Sequence, residues 1–375
     1  MSMEIVDALL QGQRGRRLLW EFAIASEEES LPEYSQHPLH EAMYYASTKI
    51  DDLQRQRRAS ADPIIGTVQV WAQKLAQSLE RTELFDVKPH LLQAALENSV
   101  DSAMYWQPPY GQEIVLASPI LRVQLERIAK HVAASKQIDY WFDPLDVATQ
   151  HRVNFDPTGI VDPATDKKRT GLESLIAWKD HVLRTEARDA RENQSRPLGN
   201  FSGVWWSAPN MYLEETCGQF SEGQPIGLSC VEDGFGWEKA TTTMVDIPRS
   251  AQVLEISSAE QWVKLCQDHG IEVTAQKRHD WYRVTGRDGA WVIPDWLAVA
   301  RNYDGVHLSI GAYLALAGEC LSVDAKFATL IAGWDPDKTY WFIDDVRESE
   351  HSQDWKCLDA HSNDAHWVID EDSSR

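Results

Sequence analysis

Apolar residues recur at helical spacing through the first half of the chain. Behind Asp62-Pro63, a pair suited to an N-cap and first helical position, Val68, Trp71, Leu75 and Leu79 follow at intervals of 3, 4 and 4. Leu92, Leu96, Val100 and Ala103 form a second stripe. Behind Ser118-Pro119, Leu121, Leu125, Ile128 and Val132 form a third, with Lys130 and His131 placed to complement the C-terminal end of the helix dipole. A helix with one apolar stripe needs a partner, so the pattern predicts helices packed as a bundle. Short β-like patches at 138–145 and 151–155, a loop over 157–171 and a long charged helix over 172–194 complete this half.

From Phe201 the period changes. Runs rich in β-branched and aromatic residues at 204–207, 226–231, 241–247, 253–256, 306–310, 327–331 and 339–343 are bounded by Gly, Pro, Asp and Asn, as short strands are. One helix stands between them: Ser257 and Glu260 suit a capping box, Trp262, Leu265 and Cys266 line a face, and His269-Gly270 supplies the stop. The expected fold class is therefore α+β. A helical N-terminal bundle (1–194) precedes a mixed α+β domain with short twisted sheets (201–368), the boundary falls at 195–200, and an acidic tail follows (369–375).

Charge narrows the possible partners. The 375 residues carry 36 Lys+Arg against 58 Asp+Glu, a formal net charge of -22, of which -16 lies in residues 201–375. Polyanion affinity comes mainly from basic side chains, so general nucleic-acid binding is not expected. No run of apolar residues is long enough for a membrane span, and the opening residues lack the pattern of a secretory signal. The five cysteines contain no CxxC pair, which argues against a disulfide framework or a cysteine metal site and for reduced, mostly buried thiols in a cytoplasmic protein.

Three segments concentrate candidate chemistry. In 293–310, a short helix, a turn and a strand would bring Asp304, His307 and Ser309 near one strand end, a set suited to acid–base work or to gripping a polar ligand; the same residues also suit turn chemistry and a hydrogen-bonded, half-buried histidine. In 200–210, Trp205 and Ser207 share a strand face and could stack a flat ring and bond its polar edge, or serve as core and cap. In 277–283, Lys277, Arg278 and Arg283 put positive charge in an acidic half, able to clamp a phosphate or to neutralise acidic neighbours. His37, His40 and Glu41 lack the spacing of a zinc protease helix, and no metal site is expected. There is no GxGxxG, GxxxxGK[ST] or GxSxG.

Through GQRGRRLLWEF, VDSAMYWQPPYGQE, NFSGVWWSAPN and IPDWLAVARNYDGVHLS the chain resembles a family of uncharacterised actinobacterial proteins. In Val204 to Pro209, and in Tyr303-Asp304-Gly305-Val306, the C-terminal half also resembles ADP-ribosyltransferase-like domains. That resemblance implies NAD held in a cleft between two sheets and a late glutamate stabilising a ribosyl cation. Arg196 is the nearest upstream basic residue to the family's first-strand Arg or His, and Glu348, Glu350 or Glu319 stands for the glutamate.

The leading expectation is thus an NAD- or nucleotide-using transferase. Trp205, Ser207, Tyr303, Asp304 and Arg283 would hold the nucleotide, and His307, Ser309 and Glu348 or Glu350 would serve catalysis. The alternative is a non-catalytic acidic protein, regulatory or defensive, that binds a basic protein partner through aromatic and acidic surface. A third reading is a hydrolase using Asp304, His307 and Ser309. Convergence of Ser207, His307 and one of the three glutamates on one pocket favours an enzyme; scattering, with aromatics on an exposed face, favours the binding protein.

Overall fold

The computed structural model describes residues 2–30, 37–55, 62–155, 169–192, 203–210, 212–360 and 365–371. Helices α1 (Ser2–Gln11), α2 (Gln13–Ser30), α3 (Pro38–Arg55), α4 (Asp62–Arg81), α5 (Pro89–Asp101), α6 (Gly111–Leu116) and α7 (Arg122–Ala133) precede the first strand. The stripes face inward as their spacing requires: Leu75 and Leu79 of α4, Leu92, Leu96 and Val100 of α5, and Leu125, Ile128 and Val132 of α7 are all buried. The expected strand at 138–145 is instead a 3-10 turn, Lys136–Phe142, capped by Ser135 Oγ accepting from Gln137 N (3.2 Å). Ile138 and Trp141, three residues apart, share its buried side, so the apolar pair carries a period of three and not two.

Strand β1 (His151–Phe155) and helix α8 (Gly171–Glu192) follow as expected; the loop at 157–171 and the boundary at 195–200 lie almost wholly outside the described residues. The C-terminal half adds β2 (Glu214–Cys217), β3 (Lys239–Asp246), β4 (Val253–Ile256), α9 (Ala259–His269), β5 (Gly270–Glu272), α10 (Thr274–Thr285), β6 (Ala290–Pro294) and α11 (Trp296–Val299). Then come β7 (Gly305–Leu308), α12 (Ile310–Leu316), β8 (Leu321–Ser322), β9 (Phe327–Thr329), β10 (Lys338–Trp341), β11 (Arg347–Leu358) and β12 (His366–Ile369). The fold is α+β, with helices first and sheets after.

The strands form an eight-stranded sheet, β12-β11-β3-β1-β2-β10-β7-β4, and a four-stranded sheet, β5-β6-β9-β8. β1, from the helical half, sits between β3 and β2 in the large sheet. Two expected strands are corrected. Residues 204–207 run as irregular chain, and 226–231 begins with the 3-10 turn Ile226–Leu228, closed by bonds from Leu228 N to Pro225 O (3.1 Å) and from Ser229 N to Ile226 O (3.3 Å). The α9 cap is Ser258, one residue later than the sequence pattern places it; its Oγ accepts from Gln261 N, and Gln261 Oε1 in turn accepts from Ser257 N.

The halves share one hydrophobic core that runs from Ile5 to Phe342. Its centre is α12, whose seven residues are all buried and which packs on α1 and α2. That packing needs Gly12, between α1 and α2: a Cβ there would press into the backbone of Leu314 and Ala315. Gly12→Ala is expected to lower stability by about 1–3 kcal/mol, the range for overpacking a close contact. Chemical denaturation checks this, and an unchanged midpoint would show that the two halves do not depend on this approach.

Candidate functional site

The sequence Asp335-Pro336-Asp337-Lys338 leads into β10 and gathers a charged cluster at the middle of the large sheet, in which Asp335 and Glu232 are buried and Lys338 and Glu215 half-buried. Lys338 Nζ lies 2.6 Å from Asp335 and 2.9 Å from Glu215 on neighbouring β2. Asp335 Oδ1 accepts from Glu232 N (2.8 Å), and Glu232 Oε2 accepts from Gly333 N (2.7 Å). Burial, then the charge of Asp335, pushes the Glu232 carboxyl up to about 8. Burial acts against the charge on Lys338, but Asp335 and Glu215 outweigh it and hold the amine above its ordinary range.

His307 lies on the opposite face of the sheet, in β7, between parallel β4 and antiparallel β10. Its Nδ1 is 2.6 Å from Glu255, its register partner on β4, and its Nε2 is 3.2 Å from Asp337. The ring is 1% exposed, so this is a buried imidazole between two carboxylates. Burial alone would lower its pKa; hydrogen bonds and charge from Asp337 and Glu255 reverse the sign and raise it to about 9. Asp337 is itself fixed: φ is 59°, its Oδ2 accepts from Gly218 N (2.7 Å) and its N–H donates to Leu308 O (2.9 Å). Neither Glu255 nor Asp337 stood out in the sequence, where they lie 52 and 30 residues from the histidine.

The other sequence candidates take separate places. Ser309 ends the strand and caps α12, its Oγ accepting from Ala312 N (3.2 Å). Asp304 ties the start of β7 to the β3–β4 connection, accepting from Gln252 N (2.8 Å) and donating its N–H to Gln252 O (2.7 Å). Tyr303 packs half-buried on the main core. Ser207 is fully buried and clamps Ala332: its N–H donates to the carbonyl (2.8 Å) and its Oγ accepts from the amide (3.1 Å). Trp205 is half-buried against Trp106, with ring centroids 4.9 Å apart. Arg283 is half-buried in the last turn of α10.

Lys277 is buried, its ammonium bonded to the carbonyls of Trp206 (2.6 Å) and Val204 (3.2 Å). Burial brings its pKa down to about 7, against the pull of Asp280 and Glu186. Glu348 pairs with Arg152, and Glu350 lies exposed near a bulge in β11. β11 stands five strands from β7, about 24 Å at about 4.8 Å per strand. Glu319 bonds Gln13 N (2.8 Å) and Arg16 (3.3 Å) beside α2. Ser207, His307 and the three glutamates therefore do not converge. The set Asp304, His307 and Ser309 does not assemble either, since each side chain is engaged elsewhere.

The register brings different residues together. Phe155, Ala240, Trp355 and Ile369 are aligned across β1, β3, β11 and β12, and Trp367 opposes Cys357 on the same face. The helices cover this face only in part. Between it, α5 and the chain before β3 lie two surface cavities that share Trp367: one of about 680 Å³ reaches Trp355, Glu222 and Glu371, and one of about 390 Å³ reaches Trp237, Glu97 and Asp101. Trp237 stacks on Phe155 at 4.1 Å, and Phe235, 80% exposed, meets it edge-on at 5.5 Å. Among the described residues that line the two cavities there is no Lys or Arg. Burial raises the pKa of Glu97. Lys356 on β11 is occupied by Asp370 at 3.1 Å.

No family model, curated protein or solved structure matches the chain. Among the described residues no helix is long and apolar enough to cross a membrane, and no group of three or more His, Cys, Asp or Glu could hold a metal ion. All five cysteines are free; Cys217, Cys230 and Cys266 are buried.

The His307 bridge has a definite pH signature. Its folded pKa of about 9 lies above the ordinary 6.5, so its stabilisation is complete below about 6.5 and is lost as pH rises through about 9. Wild type should exceed His307→Gln in stability by a margin that shrinks by about 3 kcal/mol between those limits. Urea unfolding of both proteins across that range measures the margin; a margin independent of pH would mean the imidazole is neutral in the folded chain.

Proposed function

We propose that the chain is a binding protein for a basic segment of a partner protein, held on the aromatic and acidic face of β1, β3, β11 and β12. The observation that carries this reading is the lining of the two cavities: Trp237, Trp355 and Trp367 beside Glu97, Asp101, Glu222 and Glu371, with no cation among the described lining residues. Arg and Lys side chains gain from carboxylates and from the faces of indole rings together, and their aliphatic stems cover apolar surface. A net charge of -22 adds long-range attraction for a cationic partner. The same field opposes a pyrophosphate, which weighs against NAD in these cavities. A nucleotide-using transferase remains the competing proposal, and its support is the resemblance of the segments around Trp205 and Tyr303.

Titration with a short arginine-containing peptide, followed by tryptophan fluorescence at low and high salt, tests the reading. Binding should weaken as salt rises. The exposed carboxylates Asp101, Glu222 and Glu371 can be neutralised together as Asp101→Asn, Glu222→Gln and Glu371→Gln; this should weaken binding roughly tenfold and flatten the salt dependence, as loss of rim charge does. Peptide binding indifferent to the triple substitution would overturn the proposal, and nicotinamide release from added NAD would favour the transferase.

A further inference from the structure

β12 is the outer strand of the large sheet, and among the described residues no strand pairs with its far side. Its residues are His366, Trp367, Val368 and Ile369, without the Lys, Pro or inward charge that commonly blunts a sheet edge. The antiparallel register fixes which backbone groups face outward. Asp370 N donates to Asp354 O (2.9 Å), so Asp354 and Asp370 form a hydrogen-bonded pair, and Val368 opposite Lys356 is the next one. Trp367 and Ile369 then stand at non-hydrogen-bonded positions, with their N–H and C=O groups directed away from β11. These are also the two β12 residues whose side chains share the aromatic face, and Ile369 is 50% exposed. An apolar edge with outward backbone groups, next to a cavity of about 680 Å³ bordered by Glu222 and Glu371, is a template for one more strand.

We propose that β12 is the docking edge for an extended, lysine- or arginine-bearing segment of a partner protein, which joins the sheet as a ninth strand. Its backbone bonds to Trp367 and Ile369, and its alternate side chains lie against Trp367 and Trp355 with their cationic ends toward the acidic border. The proposal rests on the basic-partner reading and adds to it the conformation of the ligand. Charge complementarity selects this occupant over a second copy of the chain, which would bring its own Asp370 and Glu371 to the same edge.

Two peptides of alternating Lys and Val, about eight residues long to span a strand, separate conformation from charge. One is unmodified; the other is N-methylated at every second backbone nitrogen and keeps the same charge and side chains. The unmodified peptide should bind the full chain, and methylation of the nitrogens that face the edge should weaken binding by tenfold or more. Ile369→Pro removes one outward N–H without touching the β11 ladder, so it should reduce affinity for the unmodified peptide at unchanged melting temperature, whereas Ile369→Ala should largely retain it. If the proline variant fails to fold, the peptide pair on the wild-type chain still decides. Equal binding of both peptides would overturn strand addition and leave the basic-partner reading standing. Failure of both to bind would overturn the two together. Self-association of the chain, abolished by Ile369→Pro, would assign the edge to a second copy.

Discussion

The large sheet depends on compensating charge at a place where most of the water is displaced. Lys338 enters the sheet between Asp335 and Glu215, and Asp337 turns to the other face to meet His307 and Gly218. An unpaired ion in such a place costs several kcal/mol, so each of these side chains fixes the position of the next. Asp337 accepts a left-handed backbone, φ 59°, that a residue with a Cβ adopts at some cost, and three hydrogen bonds hold it there. Through this turn β2, β7 and β10 are locked in one register and the chain before β3 is anchored by Glu232. The same bonds occupy the groups that looked most reactive in the sequence. His307 has both ring nitrogens engaged, and Lys277 is spent on the carbonyls of Val204 and Trp206.

Helix stripes were legible because a stripe is a local property: Leu92, Leu96 and Val100 face the core for the same reason that they are spaced as they are. The sheet was legible only in part. β3, β4, β7, β9 and β10 advertise themselves with β-branched and aromatic runs, whereas β11 reads RESEHSQDWKCL, polar up to Asp354, and owes its strand conformation to pairing with β3 and β12. β1 could be found as a strand, but its seat between β3 and β2 is a long-range fact with no local signature. The candidate chemistry shows the same limit. His307 is identifiable as a hydrogen-bonded strand histidine, although it is fully and not half buried; Glu255 and Asp337 are its partners only because β4, β7 and β10 lie side by side. Trp237 and Trp367 carried one signal that was available, a large aromatic ring within a strongly acidic stretch where no apolar stripe explains it.

Sheet coverage turns this fold into a surface. At the β4 end of the large sheet, Val306, Leu308 and Tyr340 are buried in the core shared with the helices. At the β12 end the cover runs short, and Phe155, Trp355 and Trp367 are left half-exposed beside carboxylates of α5, of the β2–β3 connection and of the residues that follow β12. An apolar face of this kind is stable in water when rings stack on one another, as Phe155 and Trp237 do, and it gains further when a ligand covers it.

The chain's sixteen tryptophans provide the most direct reporter of where a partner sits. Indole N–H resonances followed by NMR during titration with a lysine-rich peptide locate the contact without altering the protein. The account predicts that Trp237, Trp355 and Trp367 shift together while the buried Trp262, Trp296 and Trp334 stay in place. Shifts confined to Trp205 and Trp206, or a bound peptide that moves none of the three, would contradict it.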